Sequence, residues 1–409
     1  MKKHFIMAWR NLWRNRKRTN ITLGSIVFAV IIATFMRGMQ LGSYDKILND
    51  AIKSSTGHLA IMDQLYWDDK TLINSMDFPY ALEETLNEDT DVDFWAPEIT
   101  GGCLASSGPH TRGVVVFGID PEVKDRQIKL KEKIIEGEYL SPNDEAVLIG
   151  KDLAQFLRMK VGDTLILFGQ GYQGVTAAAK YPVKGIFDHP MSDFNRRLAF
   201  LPLAASQYLF YMDGRVTNIN LILKEPDDYQ DIQERYMAEI DTTLLEVRDW
   251  QSMNKELLSG IESDNFFGRL MIGILYMVIA FGIFGTILMM TMERKKEFSI
   301  MIAIGMQRTQ LIGLVIIESI YMAAIGAVIG LCLSFPVVYF YANNPIQITG
   351  EAADTYRQLN MEPILAISTN ADYMLIQFVI VMFISLLASI IPLRNINAFN
   401  IVDIIRGKQ

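Results

Sequence analysis

Four long apolar stretches run through the chain, and polar sequence separates them. A helix rises roughly 1.5 Å per residue, so about 20 apolar residues are needed to cross a hydrocarbon core of about 30 Å. The pattern therefore predicts four transmembrane helices, at residues 21–41, 266–291, 311–341 and 373–393. The third stretch is longer than one crossing needs, and Pro336 is expected to kink or end that helix.

Lysine and arginine are unevenly distributed around these stretches. They cluster at residues 2–18, before the first span, and they also follow the second and fourth spans. Cytoplasmic flanks of transmembrane helices are enriched in these residues. We therefore predict a multi-pass protein of the inner (cytoplasmic) membrane, with both termini, including the tail at 394–409, and residues 292–310 in the cytoplasm. Residues 42–265 and 342–372 are predicted to lie outside.

Residues 1–20 carry aromatic side chains at helical spacing. Together with Leu12, the residues Phe5, Trp9 and Trp13 would lie opposite the basic residues of such a helix. This pattern suits a helix that lies in the membrane interface with its apolar face toward the acyl chains. The alternative is that the basic residues only set the topology. No small-residue cleavage site follows the first apolar stretch at residues 36–38, so we interpret that stretch as an uncleaved anchor.

The long segment at residues 42–265 has a mixed pattern, in which short runs rich in β-branched and aromatic residues alternate with helical periodicity. It predicts a large α+β domain inserted between the first and second spans. We interpret Gly169, Gly171 and Gly174 as a flexible loop between two strands, because no βαβ unit surrounds them. The predicted strands are 58–62, 111–119, 146–149, 163–168, 181–187, 197–202 and 218–223, and the predicted helices are 79–87, 151–159, 203–211 and 229–245.

Composition agrees with a chain that is part membrane and part soluble, since 50% of the residues are hydrophobic and 21% are charged. The two cysteines, Cys103 and Cys332, provide no disulfide framework, and the four histidines lack metal-ligand spacing. The phosphate loop G-x-x-x-x-G-K-S/T is also missing. We predict no catalytic site, no metal site and no cofactor in this chain, and the net charge of −8 is no reason to expect a nucleic-acid partner.

Two polar or small-residue features occur inside the third apolar stretch. Glu318 is an ionisable residue in a predicted span, where a charge costs a few kcal/mol. It lies near the cytoplasmic end, so we interpret it as a packing hydrogen-bond partner rather than a proton relay. Gly326 and Gly330 form a small-xxx-small pair, which is typical either of close helix packing or of a dimer interface.

Between the second and third spans lies the sequence ERKKEFSIMIAIGM, which we call the 293–306 segment. It places a basic cluster before a short helix with an apolar face, and the helix is expected to end at Gly305. We predict that another cytoplasmic polypeptide docks here; the alternative is a positive-inside loop that continues the second span. The predicted contact residues are Glu293, Arg294, Lys295, Lys296, Glu297, Phe298, Ile300, Met301, Ile304, Gly305 and Met306.

The 293–306 segment and the following span with its glutamate resemble the FtsX-like permease family of ABC transporters, whose coupling helix has the form E-R-x-x-E-I-x-I-x-x-A-x-G. The sequences AWRNLWRNRKRT and NAFNIVDIIR resemble the beginning and end of that family, although Ile401 and Asp403 stand where proline and glutamate are usual. GHLAIM at 57–62, GID at 118–120 and residues 169–207 resemble lipoprotein-release permeases of the LolC and LolE type, which like MacB belong to this group.

The resemblance implies a permease subunit that works by mechanotransmission. A separate ABC ATP-binding subunit would bind ATP and Mg, and a second permease, identical or a sister chain, would complete the membrane part. The substrate would be a lipoprotein or another amphiphile that enters between the first and second spans; the alternative is an FtsX-like scaffold that activates an envelope enzyme. The implied cavity residues are Phe35, Met36, Met39, Phe266, Phe267, Met271 and Ile274.

Overall fold

The computed structural model describes residues 2–14, 16–358 and 362–397. The comparison of Ile401 and Asp403 with a family pattern therefore lies outside the described residues. The chain divides into two compact units, which we call the helical unit and the sheet unit. The helical unit comprises residues 1–46, 260–347 and 364–409, and the sheet unit comprises residues 47–259 and 348–363.

Within the described residues the chain forms fourteen α-helices and fourteen strands. The helices are α1 (Lys2–Arg14), α2 (Arg16–Ala51), α3 (Tyr80–Glu88), α4 (Pro121–Ile128), α5 (Lys151–Leu157), α6 (Ser192–Arg197), α7 (Leu203–Phe210), α8 (Tyr229–Glu239), α9 (Trp250–Met253), α10 (Lys255–Glu293), α11 (Lys295–Ala303), α12 (Arg308–Asn343), α13 (Glu351–Gln358) and α14 (Ala371–Asn397). The strands are β1 (Leu59–Asp63), β2 (Met76–Asp77), β3 (Val92–Ser107), β4 (His110–Ile119), β5 (Ile134–Gly137), β6 (Val147–Gly150), β7 (Thr164–Gln170), β8 (Thr176–Phe187), β9 (Leu198–Pro202), β10 (Arg215–Val216), β11 (Asn218–Leu223), β12 (Leu245–Asp249), β13 (Ile346–Gln347) and β14 (Ile364–Leu365).

Four helices are long and apolar enough to cross a membrane, and each contains one of the predicted spans. They are α2, α10, α12 and α14. The first two extend well beyond the apolar stretches, since α2 runs on to Ala51 and α10 begins at Lys255. Pro336 does not end α12, which continues to Asn343. A proline removes only one backbone hydrogen bond, and the rest of this long helix is held by packing against α14.

The glycine pair of α12 packs inside this chain. A Cβ atom on Gly326 would lie 2.7 Å from Ile26 Cγ2, and one on Gly330 would lie 2.7 Å from Val30 Cβ. Both contacts are shorter than carbon atoms tolerate, so α2 can approach α12 only because these residues lack side chains. The dimer-interface interpretation is therefore wrong, because α2 already covers this face.

The sheet unit is built on one mixed sheet of ten strands. Nine of them follow the order β12-β1-β11-β3-β4-β9-β6-β8-β5, and β7 pairs with both β3 and β8. The β4–β9 and β6–β8 pairs are parallel, and the other pairs are antiparallel. Four apolar clusters of described residues lie in this unit, and the two largest surround Ile99, Val116 and Ile149, and Leu59 and Leu221. The helices of the unit thereby pack over buried apolar surface of the sheet.

The structure corrects two element predictions. The longest strand, β3, was missed, because Pro97, Gly101 and Gly102 interrupt its β-branched pattern. Gly101 is required there by packing rather than by a turn, since a Cβ atom would lie 2.4 Å from the Phe210 ring. The helix predicted at 229–245 ends at Glu239, and its last residue begins β12 instead. Pairing of β12 with β1 decides this point, and such pairing leaves no local signal.

The short helix α4 was also missed, although its first residues carry a helix-start signal. The Asp120 carboxylate caps it by accepting hydrogen bonds from the backbone N–H groups of Glu122 and Val123, at 2.8 and 3.2 Å. Pro121 occupies the first helical position, where its fixed φ suits a helix and its missing N–H is not needed. The capped helix presents its residues 124 and 127 to the interior of the sheet unit.

A buried ion pair fastens the end of α2 to the sheet. Lys124 Nζ donates to Glu98 Oε1 at 2.8 Å, and both side chains are only 3% exposed. Lys124 also donates to the Ser54 carbonyl at 3.1 Å, in the π-helical turn that follows α2. Asn220 donates to Glu98 Oε2 and to the Ser55 carbonyl at 3.1 and 3.0 Å. Backbone carbonyls at a helix end lack intrahelical partners, and this network supplies them.

Candidate functional site

The 293–306 segment forms a short helix between two long ones. Helix α10 ends at Glu293, the backbone leaves helical geometry at Arg294 (φ −88°, ψ 6°), and α11 then runs over Lys295–Ala303. Gly305 has φ +101°, a conformation that L side chains rarely adopt, and it turns the chain toward α12. The glycine therefore separates α11 from α12 as two distinct helices.

One face of α11 is buried within the helical unit. The Phe298 ring is 1% exposed and packs in an apolar cluster with Ala8, Leu311 and Leu314. The Arg294 guanidinium lies 4.9 Å from the centre of that ring. The expectation that Phe298 shares an exposed docking face is therefore wrong, because the residue supports α11 from inside. Met301 and Met306 are partly buried in the same cluster.

A charged network lies beside this cluster and explains Glu318. Arg294 Nη1 donates to Glu318 Oε2 at 2.7 Å, and Asn11 Nδ2 donates to Glu318 Oε1 at 2.8 Å. Glu318 is 3% exposed, so its charge is balanced within the protein. Glu297 accepts from Arg294 at 3.3 Å and from Arg14. The hydrogen bond from Arg14 is the main reason that the pKa of Glu297 lies below its ordinary value.

This network connects three helices that are distant in sequence, because Asn11 and Arg14 belong to α1, Arg294 precedes α11 and Glu318 belongs to α12. Sequence reasoning identified Arg294, Glu297 and Glu318 but missed Asn11 and Arg14 as their partners. The sequence carries no local signal for this pairing, because Asn11 lies two residues from both Trp9 and Trp13 and so does not share their face of the helix. The result is a firmly supported α11.

The outer face of α11 carries exposed apolar side chains. Ile300 is 56% exposed and Ile304 is 81% exposed, and Lys296 and Gly305 are exposed beside them. The exposed part of each isoleucine gains nothing from folding. Full burial of an isoleucine contributes about 1.5–3 kcal/mol, so a partner that covers Ile304 gains most of that amount and one that covers Ile300 gains about half of it. The segment thus has a buried inner face and an exposed outer face.

The predicted cavity residues fall into two groups. Phe35 packs against Tyr341 with ring centroids 6.1 Å apart, and Met39 joins the same cluster near Tyr373. The others each expose more than a third of their surface. Helix α10 is the least buried of the four candidate spans, since only 17% of its most apolar part is buried within the protein. A substrate-binding role stays a prediction. The exposed group comprises Met36, Phe266, Phe267, Met271 and Ile274.

Sequence reasoning missed a polar cluster that joins α2 to α10. Arg37 Nη1 donates to Gln40 Oε1 and to Asn265 Oδ1, both at 2.7 Å. Tyr44 donates to Asp264 Oδ2 at 2.5 Å and accepts from Gln40 Nε2 at 2.7 Å. The available signal was the spacing i, i+3, i+7 of Arg37, Gln40 and Tyr44, just after the first apolar stretch. Asp264 and Asn265 just before the second stretch were the matching polar pair. The cluster fixes α2 and α10 to each other.

Among the described residues, no group of three histidine, cysteine, aspartate or glutamate side chains is placed to hold a metal ion. Cys103 is buried and Cys332 is exposed, and both are free thiols. The side chains that the 293–306 segment exposes include apolar Ile300 and Ile304 and basic Lys296.

Two families match the chain, and together they cover most of it. Residues 269–401 match the family described as FtsX-like permease C-terminal, and residues 19–238 match the family described as MacB-like periplasmic core domain. The second match covers more than half of the chain. The 293–306 segment lies inside the first match and the ten-stranded sheet lies largely inside the second.

Several curated proteins are similar to this chain. The lipoprotein-releasing system transmembrane protein LolC of Xylella fastidiosa (strain 9a5c) is 23% identical over 242 residues, which cover 58% of this chain and 58% of the relative. The chain therefore spans less than two thirds of that relative's length. An uncharacterised ABC transporter permease of Methanocaldococcus jannaschii is 22% identical over 80% of this chain and 81% of its own. LolE of Haemophilus influenzae is 21% identical over 75% of each chain.

Solved structures also match the chain in part. The periplasmic region of MacB from Actinobacillus actinomycetemcomitans is 12% identical, with a TM-score of 0.37, and the match covers 52% of this chain and 97% of that structure. The extracellular domain of the transporter YknZ from Gram-positive bacteria is 12% identical, with a TM-score of 0.34 and coverages of 46% and 100%.

Proposed function

Because the chain belongs to the family of FtsX-like ABC transporter permeases that carry a MacB-like periplasmic core domain, we propose that it is the membrane subunit of a transporter driven by a separate ATP-binding subunit. The ATPase docks on the 293–306 segment from the cytoplasm. Its conformational change passes through the long helices to the sheet unit outside. The observation that carries this proposal is the two-faced α11.

The inner face of α11 gives the docking helix a rigid base. Arg294 and Glu318 form a pair in which one partner is 3% exposed, and Phe298 is fully enclosed beside it. A force applied to Ile300 and Ile304 is therefore transmitted to α12 and α1 rather than absorbed by a loop. Separating Arg294 from Glu318 would leave an enclosed carboxylate without its cation, which is costly, so the pair keeps α11 in one position during the cycle.

The remaining parts of the proposal follow from the same family. ATP and Mg are bound by the ATPase, and both termini of this chain lie in the cytoplasm while the chain spans the inner membrane. A second permease, identical or a sister chain, pairs with this one. The substrate is a lipoprotein or another amphiphile, and the exposed apolar face of α10 supports this because it suits acyl chains or a second permease.

Co-purification from native membranes tests the docking. The variant is Ile300→Asp with Ile304→Asp, and the matched control is Gln310→Asp, which adds a charge at an exposed position outside the 293–306 segment. We expect an ATP-binding subunit to co-purify with the wild type and the control but not with the double variant. Equal recovery of the ATPase with all three proteins would contradict the proposal.

The same purification separates the transporter from a scaffold. A scaffold that activates an envelope enzyme would retain a soluble envelope protein in stoichiometric amount. A transporter would instead show ATPase activity that a lipoprotein or another amphiphile stimulates. Phe298→Asp serves as a folding control, since a charge at this enclosed position should reduce thermal stability, whereas changes at Ile304 should not.

A further inference from the structure

The sheet unit contains a cavity of about 420 Å³ that lies apart from the 293–306 segment. Its walls come from the last turn of α2, the C-terminal end of α4, the loop around His189, and strands β3 and β11. Small-molecule sites have volumes of about 300–1,000 Å³. The cavity is therefore large enough for a small organic molecule and much larger than a bare ion requires.

The cavity has both apolar and charged side chains in its lining. Phe94, Ile128 and Ile222 form apolar surface within it. Four basic and three acidic side chains line it, and one of each is paired internally, since Arg126 Nη2 contacts Asp93 Oδ1 at 2.6 Å. The amphipathic lining favours a ligand that has both an organic part and a negative charge.

Two of the basic side chains are available to a ligand. Lys53 and Lys129 are exposed, and within the part of the chain that the structure describes neither ammonium group has an ion-pair or hydrogen-bond partner. Lys133, Asp50 and Glu362 also line the cavity and are already engaged in interactions. The unengaged charge in the cavity is therefore positive.

A buried amide points to an occupant. Gln127 is 8% exposed, lines the cavity, and its Oε1 atom has no hydrogen-bond partner. Buried polar atoms in folded proteins nearly always have a partner. A terminal amide presents either its oxygen or its NH₂ group to a given point by a half-turn of its last bond. Gln127 can therefore donate a hydrogen bond to a ligand oxygen or accept one from a ligand hydroxyl.

His189 adds a neutral donor to the same cavity. Its Nδ1 atom accepts a hydrogen bond from the Met191 backbone N–H at 3.1 Å, so the ring proton lies on Nε2. Burial, followed by the charges of Lys133 and Lys124, lowers the pKa of His189 to about 3. The ring is held against Phe194, with centroids 4.4 Å apart. It thus offers one fixed N–H group without adding charge.

From this cavity, its unengaged lysines and its unpaired amide, we propose that the sheet unit binds an organic phosphate ester of net negative charge, with the phosphate at Lys53 and Lys129 and the organic group over Phe94 and Ile222. A phosphate ester has four oxygen atoms, which is enough for two ammonium groups and two neutral donors. A carboxylate has only two oxygen atoms. The ligand is either a free phosphate ester or the headgroup of an anionic lipid. This binding site goes beyond the proposed function, because binding of a phosphate ester here does not require an ATPase.

Calorimetric titration of the full-length protein in nanodiscs of zwitterionic lipid tests the proposal. The probes are sn-glycerol 3-phosphate, lysophosphatidylglycerol and, as the neutral counterpart, lysophosphatidylcholine. We expect saturable binding of one or both anionic probes and none of the choline lipid. Binding of glycerol phosphate identifies a soluble ligand, and binding of lysophosphatidylglycerol alone identifies a lipid headgroup.

Variants connect the binding to the cavity. Lys53→Gln with Lys129→Gln, and separately Gln127→Leu, should each weaken binding at least tenfold. Lys131→Gln is the matched control, since Lys131 is exposed two residues from Lys129 and does not line the cavity. Melting temperatures measured without ligand show that each variant is folded. Absence of binding by the wild type, or equal affinity in all variants, would overturn the proposal.

Discussion

Removing the charge of Lys124 should weaken the sheet unit far more than removing the charge of an exposed lysine. Lys124→Met leaves a side chain of similar length, but among the described residues the Glu98 carboxylate then keeps only its hydrogen bond from Asn220, and the Ser54 carbonyl loses its donor. Both charges of the pair are almost fully enclosed, at 3% exposure each. An uncompensated carboxylate would therefore remain in a medium of low polarity.

The expected magnitude follows from that enclosure. Loss of one partner from a buried ion pair costs about 3–5 kcal/mol. The sheet unit has the size at which 1 kcal/mol shifts the melting temperature by about 2–4 °C, so Lys124→Met should lower it by roughly 6–20 °C. Lys151→Met is the control, since Lys151 pairs with Asp188 at 3.0 Å but the two side chains are 43% and 40% exposed. An exposed pair contributes less than about 1 kcal/mol, or at most about 4 °C.

Thermal unfolding of the full-length protein in detergent, followed by tryptophan fluorescence, measures this difference, because Trp95 and Trp250 lie in the sheet unit. Adding Glu98→Gln to Lys124→Met removes the orphaned charge and should restore part of the loss. Equal shifts for Lys124→Met and Lys151→Met would refute the reasoning, and so would a double variant no more stable than the single one.

Three further predictions concern other parts of the chain. Gly330→Ala should reduce the free energy of unfolding by about 1–3 kcal/mol, because it forces a methyl group to within 2.7 Å of Val30 Cβ. Gly313→Ala on the same helix is the control, since its methyl group meets no atom within 4 Å. Equal melting temperatures of the two variants would contradict the packing. Burial raises the pKa of Asp89, but hydrogen bonds from Tyr236 (2.6 Å) and Arg235 (2.5 Å) outweigh it and hold that pKa below its ordinary value. The resulting stabilisation is present above the unfolded pKa of about 4 and is lost as pH falls through the folded pKa. Asp89→Asn should therefore lower the melting temperature at neutral pH and differ less from the wild type in acid. A difference that stays constant with pH would contradict this. Burial raises the pKa of the Cys103 thiol to about 12, so in a Cys332→Ala background a water-soluble maleimide should label Cys103 only after unfolding, and rapid labelling of the folded protein would show that it is not enclosed.

The parts of this protein that were predictable from sequence have local patterns. The four long helices follow from uninterrupted apolar length, and Gly305 is recognisable because glycine is the residue that most readily ends a helix with positive φ. The strands β1, β4, β9 and β11 are bounded by turn residues and rich in β-branched side chains, and they occur at or near their predicted positions. In contrast, β3 was missed, because its glycines and proline are typical of turns unless a neighbouring ring such as Phe210 is known to occupy the space.

Only the tertiary structure shows which side chains are buried and which are exposed. The pattern of the 293–306 segment indicated an apolar face, but not that Phe298 turns into the protein while Ile300 and Ile304 stay exposed. That division depends on α1 and α12, whose partners Asn11 and Glu318 are 307 residues apart. The same holds for Gly326 and Gly330, whose neighbour is α2 of the same chain. Local composition determined which long helices form and which family the chain resembles. Contacts between distant residues determined which surfaces remain exposed.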